Sequence, residues 1–220
     1  KISVLDHCFL YGDGIFEGMR VYNKGVFRLD DHLNRLENSA KGIGLELSIS
    51  KEEIKNYVLE TCRKNNVKHN DYIRLIVTRG VGDLGLDPRK CTMPTLYIIA
   101  GTIQLYPQEY YDKGLYVIVS SIPRPSIEAL NPNVKMTQYM NNIHVKIEAT
   151  HYDASDGIML TADGTVAELS GANLFFVKND ELWTPNEKIV LPGITRRTVI
   201  EIADRAGISV YQGCFSVDDF

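Results

Sequence analysis

Three local patterns in this 220-residue sequence place reactive or ligand-binding side chains at useful spacings. Lys135 stands where a Pro-rich stretch gives way to a helix-like one, with Tyr139 one turn further on. A lysine at such a boundary can be desolvated and act as an amine nucleophile toward a carbonyl group. A solvated surface lysine is the alternative, and position has to decide between them. Tyr72 and Arg74 fall on one face of a strand by the period of two. Arginine binds a carboxylate bidentately and tyrosine adds a hydroxyl, although an exposed sheet face carries the same pattern. Leu191-Pro192-Gly193-Ile194-Thr195-Arg196 reads as a turn opening a helix. The first N–H groups of that helix, at Ile194, Thr195 and Arg196, have no intrahelical acceptor and favour an anion such as phosphate. Any Pro-Gly turn before a helix shares this property.

Other signals point away from common chemistries. Gly80, Gly82 and Gly85 match the GxGxxG dinucleotide fingerprint behind a strand. That motif needs a helix to begin at the glycines, and Asp87-Pro88 follows at once, which disfavours helical geometry. A Gly-rich turn joining two strands accounts for it better. The five histidines (7, 32, 69, 144 and 151) show no HxxxH spacing, and Cys8, Cys62, Cys91 and Cys214 form no CxxC pair, so no metal site is expected. Neither a GxSxG elbow nor a GxxxxGK[ST] loop is present.

The elements that must position these residues alternate between helix and strand. A Val-Leu strand-like segment begins the chain, and Tyr11-Gly12-Asp13-Gly14 is a turn leading into a strand over 15–22. Asp30 is expected to N-cap a helix with Leu29, Leu33, Leu36 and Ala40 on one face. Ser50 and Glu53 form a capping box before a second helix carrying Ile54, Val58 and Cys62. Strands are expected over 72–78, 95–100 and 115–121. Pro123, Pro125 and Pro132 mark an interdomain linker. Beyond it, residues 137–151 read as a helix with Tyr139, Ile143 and Ile147 spaced by fours. Short strands follow over 157–160, 173–178 and 181–184, then a helix over 196–206 that Gly207 stops. The reading is two α/β or α+β lobes. The first covers residues 1–121, the linker 122–132 and the second lobe 133–220.

Composition sets the broad class. Hydrophobic residues make up 44% and charged residues 24%, values of an ordinary globular protein. A chain of this size buries roughly 70% of its unfolded surface, so a core forms without staples. With 24 Lys plus Arg against 28 Asp plus Glu, the net charge is −4, and a nucleic-acid partner is not expected. No apolar run approaches the ~18 residues of a membrane helix, and no signal peptide opens the sequence. Four scattered cysteines without an export signal read as reduced thiols, and the expected compartment is the cytoplasm.

Five blocks, taken in order and at their separations, carry a resemblance that no single motif does. They are Tyr11-Gly12-Asp13-Gly14-Ile15-Phe16-Glu17-Gly18-Met19-Arg20, Arg79 to Pro88, Lys135-Met136-Thr137-Gln138-Tyr139-Met140-Asn141-Asn142, Glu168-Leu169-Ser170-Gly171-Ala172-Asn173-Leu174-Phe175, and Leu191 to Arg196. The chain resembles, over essentially its full length, the branched-chain-amino-acid aminotransferases of the class IV (fold type IV) pyridoxal-phosphate family. The resemblance implies an α/β (α+β) two-lobed fold with pyridoxal 5'-phosphate at the lobe interface. It implies that Lys135 joins the cofactor covalently and moves the proton between substrate Cα and cofactor C4′. Glu168 would hold the pyridine nitrogen protonated, and Tyr139 would bond the ring's phenolic oxygen. Arg35, Ile194 and Thr195 would hold the phosphate. For substrate it implies Phe16, Gly18, Tyr72 and Arg74, with Tyr11 and the Leu84-Gly85-Leu86 loop arriving from a second subunit, hence a homodimer as minimal unit. The implied partners are amino acids and 2-oxo acids. The pocket must take both an aliphatic side chain and glutamate's carboxylate, which an unpaired apolar wall would not tolerate.

The sequence also departs from the family. Gln138 stands where asparagine is usual, and Arg124-Pro125 where many members carry Arg-Arg. The family also has a first strand before a position like Lys1 and a Gly-Thr segment after one like Phe220, so an incomplete phosphate cup is expected of this chain. Two readings of the same fold compete, a D-amino-acid transaminase and an aminodeoxychorismate lyase. A nicotinamide-dependent dehydrogenase built on Gly80, Gly82 and Gly85 is the competitor from another class.

Overall fold

Leucine spacing and one capping serine account for the two longest helices of the computed structural model, which describes residues 2–23, 25–103 and 106–220. Helix α1 spans His7–Tyr11, α2 Leu29–Gly42 and α3 Lys51–Lys64. Leu29, Leu33, Leu36 and Ala40 all turn inward from α2, as positions three and four apart on one face should. Ser50 caps α3 as expected: its hydroxyl accepts from the Glu53 N–H while the Glu53 carboxylate accepts from the Ser50 N–H. Asp30 does not cap α2. The helix starts two residues earlier behind Arg28, whose φ of 48° is left-handed, and the Asp30 carboxylate accepts from Lys55 Nζ at 2.7 Å instead.

The first unit comprises Lys1–Leu105 with Val134–Gln138. Its sheet contains β1 (Gly14–Tyr22), β2 (Gly25–Val26), β3 (Asp71–Thr78) and β4 (Thr95–Thr102), in the order β2-β1-β3-β4 and antiparallel throughout. Ile15, Met19 and Val21 on β1, with Ile73, Leu75 and Val77 on β3, form the core with α2 and α3. By the alternation of a strand, Phe16 and Gly18 face the other side, as do Tyr72 and Arg74. Beyond the short β2, Val134–Gln138 adds to the remaining edge of β1. Phe16 N–H donates to Lys135 O at 3.0 Å and Thr137 N–H to Gly14 O at 2.8 Å, around an Ile15–Met136 bridge.

One expectation for this unit changes, and the reading of Gly80–Gly85 as a turn holds. Val4 and Leu5 lie in or beside a turn before α1, which Asp6 caps by accepting from the Cys8 N–H at 2.9 Å. No helix opens at Gly80–Gly85. Val81 bridges Asp6, and only a 3-10 turn, Pro88–Lys90, follows. The dinucleotide motif therefore lacks the helix terminus on which its phosphate contact depends.

The second unit comprises Tyr106–Asn133 with Tyr139–Phe220. It holds α4 (Glu109–Lys113), β5 (Val117–Val119), α5 (Met140–His151), β6 (Asp156–Leu160), β7 (Val166–Leu169), β8 (Phe176–Lys178), β9 (Glu181–Pro185), α6 (Ile194–Arg205) and β10 (Val210–Gly213). The strands form two three-stranded sheets, β5-β6-β7 and β10-β9-β8. β9 and β10 run parallel, a pairing that needs a crossover, and α6 supplies it. Helix α5 begins at Met140 and not at 137. Its buried face is Val145 and Ala149, while Ile143 and Ile147 are exposed at 47% and 50%. The reason is β6: a Cβ on Gly157 would lie 2.6 Å from Val145 Cγ1, so the missing side chain lets that face approach.

The division differs from the expected 1–121, 122–132 and 133–220. Val117–Val119 pair in parallel with Asp156–Ile158 and so belong to the second unit, whereas the lysine-bearing segment extends the first unit's sheet. Among the described residues no helix is long and apolar enough to cross a membrane.

Candidate active site

In the first unit Phe16 is the centre of the lysine's surroundings. Lys135 Nζ lies 4.4 Å from the Phe16 ring centroid, and the Arg74 guanidinium carbon also lies 4.4 Å from it. Arg74 is 5.6 Å from the Tyr72 ring as well. Gly18 makes this cluster sterically possible: a Cβ there would stand 2.2 Å from Tyr72 Oη. Amine, apolar ring, hydroxyl and guanidinium are thus brought together on one sheet face. The Lys135 backbone is fixed at both ends of its peptide group. Its carbonyl accepts from Phe16, and its N–H donates to Ser39 Oγ at 3.0 Å.

Ser39 belongs to a polar stripe on α2. His32, Arg35 and Ser39 are all buried and lie beside the leucine stripe. His32 and Arg35 meet Glu17, which occupies a core-facing position of β1 with no exposure at all. Arg35 Nε donates to Glu17 Oε1 at 2.8 Å, Arg35 Nη2 to Oε2 at 2.7 Å, and His32 Nδ1 bonds Oε2 at 2.6 Å. Isolated burial of a carboxylate costs several kcal/mol, more than a buried leucine contributes at about 2 kcal/mol, so these partners are obligatory. Burial pushes the Glu17 carboxyl up, but the hydrogen bonds from Arg35 and His32 outweigh it and hold the pKa below the ordinary value.

Tyr11 and the Leu84-Gly85-Leu86 loop form a second group. The Tyr11 hydroxyl donates to the Leu84 carbonyl, and His7 Nε2 bonds Asp83 O at 2.9 Å. Leu84 and Leu86 are 71% and 77% exposed, so this apolar loop is presented outward.

In the second unit, Glu168 is the last residue but one of β7, at 7% exposure. Arg124 pairs with its Oε1, to which the Leu191 N–H also donates at 3.1 Å. Asn173 Nδ2 donates to Oε2 at 2.9 Å and bonds the Leu191 carbonyl at 3.2 Å. Asn173 therefore ties the carboxylate to the Leu191–Thr195 turn. Gly193 is required there, since a Cβ would stand 1.8 Å from Asn173 Oδ1. Gly193 is also the N-cap of α6 and offers no side-chain cap, leaving the first N–H groups of that helix for an anion. Ile194 is buried and Thr195 exposed. Tyr139 is the N-cap residue of α5 in this unit.

Reading the sequence missed Glu17, His32, Ser39 and Asn173, and took Arg124 only as a departure from pattern. Glu17 had a signal: a carboxylate in the alternating series Ile15, Met19, Val21 is out of place unless paired. Among the described residues no cluster of three His, Cys, Asp or Glu can hold a metal ion.

A class of enzyme follows from this fold and these residues. Residues 14–220 match the family model of amino-transferase class IV, and the chain belongs to that family. A Methanocaldococcus jannaschii protein named "Putative branched-chain-amino-acid aminotransferase" is 44% identical over 100% of this chain and 75% of its own length. The aminodeoxychorismate lyase of Bacillus subtilis is 32% identical over 99% of this chain and 73% of its own. Among solved structures, a T.th. branched-chain amino acid aminotransferase complexed with N-(5'-phosphopyridoxyl)-L-glutamate superposes with a TM-score of 0.92. It is 32% identical, covering 100% of this chain and 73% of that one. The chain has the mixed α/β fold of these enzymes.

The donor set fits a pyridoxal phosphate. Each carboxylate oxygen has two acceptor sites, and Oε2 of Glu168 is engaged by Asn173 alone among the bonds seen, so it can also accept from a protonated ring nitrogen. In the second unit the uncapped terminus of α6 is of a kind that suits a phosphate; in the first, an arginine is of a kind that binds one, and Lys135 supplies a primary amine.

Proposed function

We propose that the chain transfers the amino group of branched-chain L-amino acids to 2-oxoglutarate, using pyridoxal 5'-phosphate. The observation that carries this reading is the Phe16 cluster. It offers an apolar ring for an aliphatic side chain, and on the same ring an arginine that can take the second carboxylate of glutamate. Bound pyridoxal phosphate supplies an electron sink for charge developing at the substrate Cα. Lys135 removes and returns the proton at Cα. Glu168 keeps the ring nitrogen protonated, with Arg124 and Asn173 holding its carboxylate. Tyr139 donates to the ring oxygen, while Arg35, the Ile194 and Thr195 N–H groups and the Thr195 hydroxyl take the phosphate. Phe16, Gly18, Tyr72 and Arg74 orient the substrate and keep water from its side chain. Tyr11, Leu84, Gly85 and Leu86 face outward in a way that suits contribution to the site of a second copy, so we take a homodimer as the working unit. Four free thiols suit a reducing compartment such as the cytoplasm.

The test pairs leucine, isoleucine and valine with 2-oxoglutarate and follows glutamate formation. All three should serve as donors, and Lys135→Ala should abolish both turnover and the visible absorbance of bound cofactor. Retention of covalently bound cofactor in that variant would refute the role of Lys135. A second reading rests on the likeness to the Bacillus subtilis lyase. Pyruvate released from aminodeoxychorismate, with no amino transfer from leucine, would establish it instead.

A further inference from the structure

Helix α1 buries one residue of its five, and that residue is a histidine. His7 is 1% exposed, in a place where an aliphatic side chain would need no partner. Its Nε2 lies 2.9 Å from Asp83 O, and since a carbonyl can only accept, Nε2 carries the proton. Tyr11 stands four residues on, and so on the same face of α1. Its ring meets that of His7 edge-on at 5.2 Å between centres, and its hydroxyl donates to the next carbonyl, Leu84 O. Two consecutive loop carbonyls, outside any strand pairing, are therefore held by one face of one short helix. The backbone adds two bonds, His7 N–H to Gly80 O at 3.0 Å and Gly82 N–H to Leu5 O at 3.1 Å. Gly82 permits the approach: a Cβ there would stand 2.6 Å from His7 Nε2. Leu84 and Leu86 are both largely exposed, so their own burial contributes little to the loop's order. That order comes from α1.

We propose that His7 is a positioning residue for side-chain selection: it holds the Leu84-Gly85-Leu86 loop in the shape that meets the aliphatic side chain of an amino donor bound by a second copy. The proposal rests on the reading above that this loop serves a second copy's site. A loop ordered in advance loses little conformational freedom when substrate binds, whereas a loosened one must be ordered at that moment. The penalty falls on donors whose recognition uses the loop. Leucine carries two more side-chain carbons than 2-aminobutyrate, and each such carbon, once buried, is worth roughly fourfold in binding. Loss of the brace should therefore reduce the preference for leucine over 2-aminobutyrate, which a general loss of folded enzyme leaves unchanged.

The experiment measures kcat/KM for leucine and for 2-aminobutyrate, each with 2-oxoglutarate, on the full-length holoenzyme. His7→Leu removes the Nε2 donor at similar volume. The ratio of leucine to 2-aminobutyrate should then fall about fivefold or more, mostly through a higher KM for leucine. His7→Gln sets an amide N–H within reach of Asp83 O and should keep the ratio within about twofold of the parent. If His7→Leu does not fold, Gly82→Ala gives the reading: its methyl, 2.6 Å from Nε2 and 2.8 Å from Cys91 Sγ, drives the ring off Asp83 O. A Leu84→Ala/Leu86→Ala double variant tests the loop itself and should lower the ratio as well. If it leaves the ratio unchanged, the loop takes no part in selecting the donor, and the reading of the loop fails with the positioning role. If the double variant lowers the ratio but loss of the His7 bond does not, or depresses both donors alike, the positioning role alone is overturned. A His7→Gln enzyme as unselective as His7→Leu would overturn it too, because the bond would not be the means. Insolubility of both His7→Leu and Gly82→Ala, while the loop variant folds, would reduce His7 to a residue of the fold.

Discussion

Arg74 shares the ring of Phe16 with Lys135, and that shared platform is where the two halves of an amino transfer make different demands. A branched aliphatic side chain needs only the ring. A second carboxylate needs the guanidinium, because buried without a cation it would be costly. Arg74→Ala should therefore depress kcat/KM for 2-oxoglutarate by about 2 kcal/mol, roughly thirtyfold, as for a lost bond to a charged group. The same variant should change kcat/KM for leucine in its half-reaction by only a small fraction of that. Stopped-flow measurement of the two half-reactions separates them, and an equal loss in both would remove Arg74 from carboxylate recognition. Single residues of this kind were partly legible in the sequence. The pairing of Tyr72 with Arg74 follows from the strand period alone, but the lysine's place over Phe16 does not, since 119 positions separate 16 from 135. Glu17 escaped because a lone acid in a strand looks like an ordinary solvent-facing residue until its neighbours in the alternation are compared.

At the level of elements, two features carry predictions. The turn before α6 depends on Gly193, which Asn173 packs against while holding Glu168. Gly193→Ala forces Asn173 aside and should destabilise the fold by about 1–3 kcal/mol, the usual cost of overpacking. Thermal unfolding of the variant should show it, together with weaker retention of pyridoxal phosphate. The second feature is the β1–α2 ion cluster. The Glu17 carboxyl titrates below its ordinary value of 4.5 in the fold, so the unfolded chain binds its proton more readily. Its stabilisation is complete above about pH 4.5 and is lost as pH falls through the lower folded value. Glu53 and Glu148, also lowered by hydrogen bonds, act in the same sense. Denaturant titrations across this range should give a stability that declines toward acid; a flat profile would contradict the ionised cluster. Elements whose signals are local were read well, such as the Ser50 capping box and the leucine face of α2. For α5 the sequence shows a period but not the face that packs. Its spacing by fours was real, but which face packs is settled by Gly157 on β6, a distant glycine that admits Val145. Helix α1, five residues long, is too short to show any periodicity.

Across the whole molecule the four thiols sort by burial. Burial pushes up the thiol pKa values of Cys8, Cys62 and Cys91, which lowers their thiolate fraction at neutral pH, while Cys214 is exposed. A thiol reagent should label Cys214 first, and Cys214→Ser should remove the fast phase seen by mass spectrometry. Fast labelling of Cys8 in the native protein would contradict its packing against Thr137.

The segment Val134–Gln138 has a consequence for how this architecture can be cut and recombined. The polypeptide enters the first unit, leaves it, returns for five residues that include the lysine, and leaves again. No single crossover between two homologous genes can exchange one unit intact. A junction before residue 106 gives the first sheet a lysine strand from the other parent. A junction after residue 138 leaves 106–133, with β5, separated in origin from β6, its parallel neighbour. Laboratory chimaeras that exchange one unit of such enzymes intact therefore need three junctions. A parental pair joined once before residue 106 will bring together a lysine and a Phe16 edge that were never selected as partners.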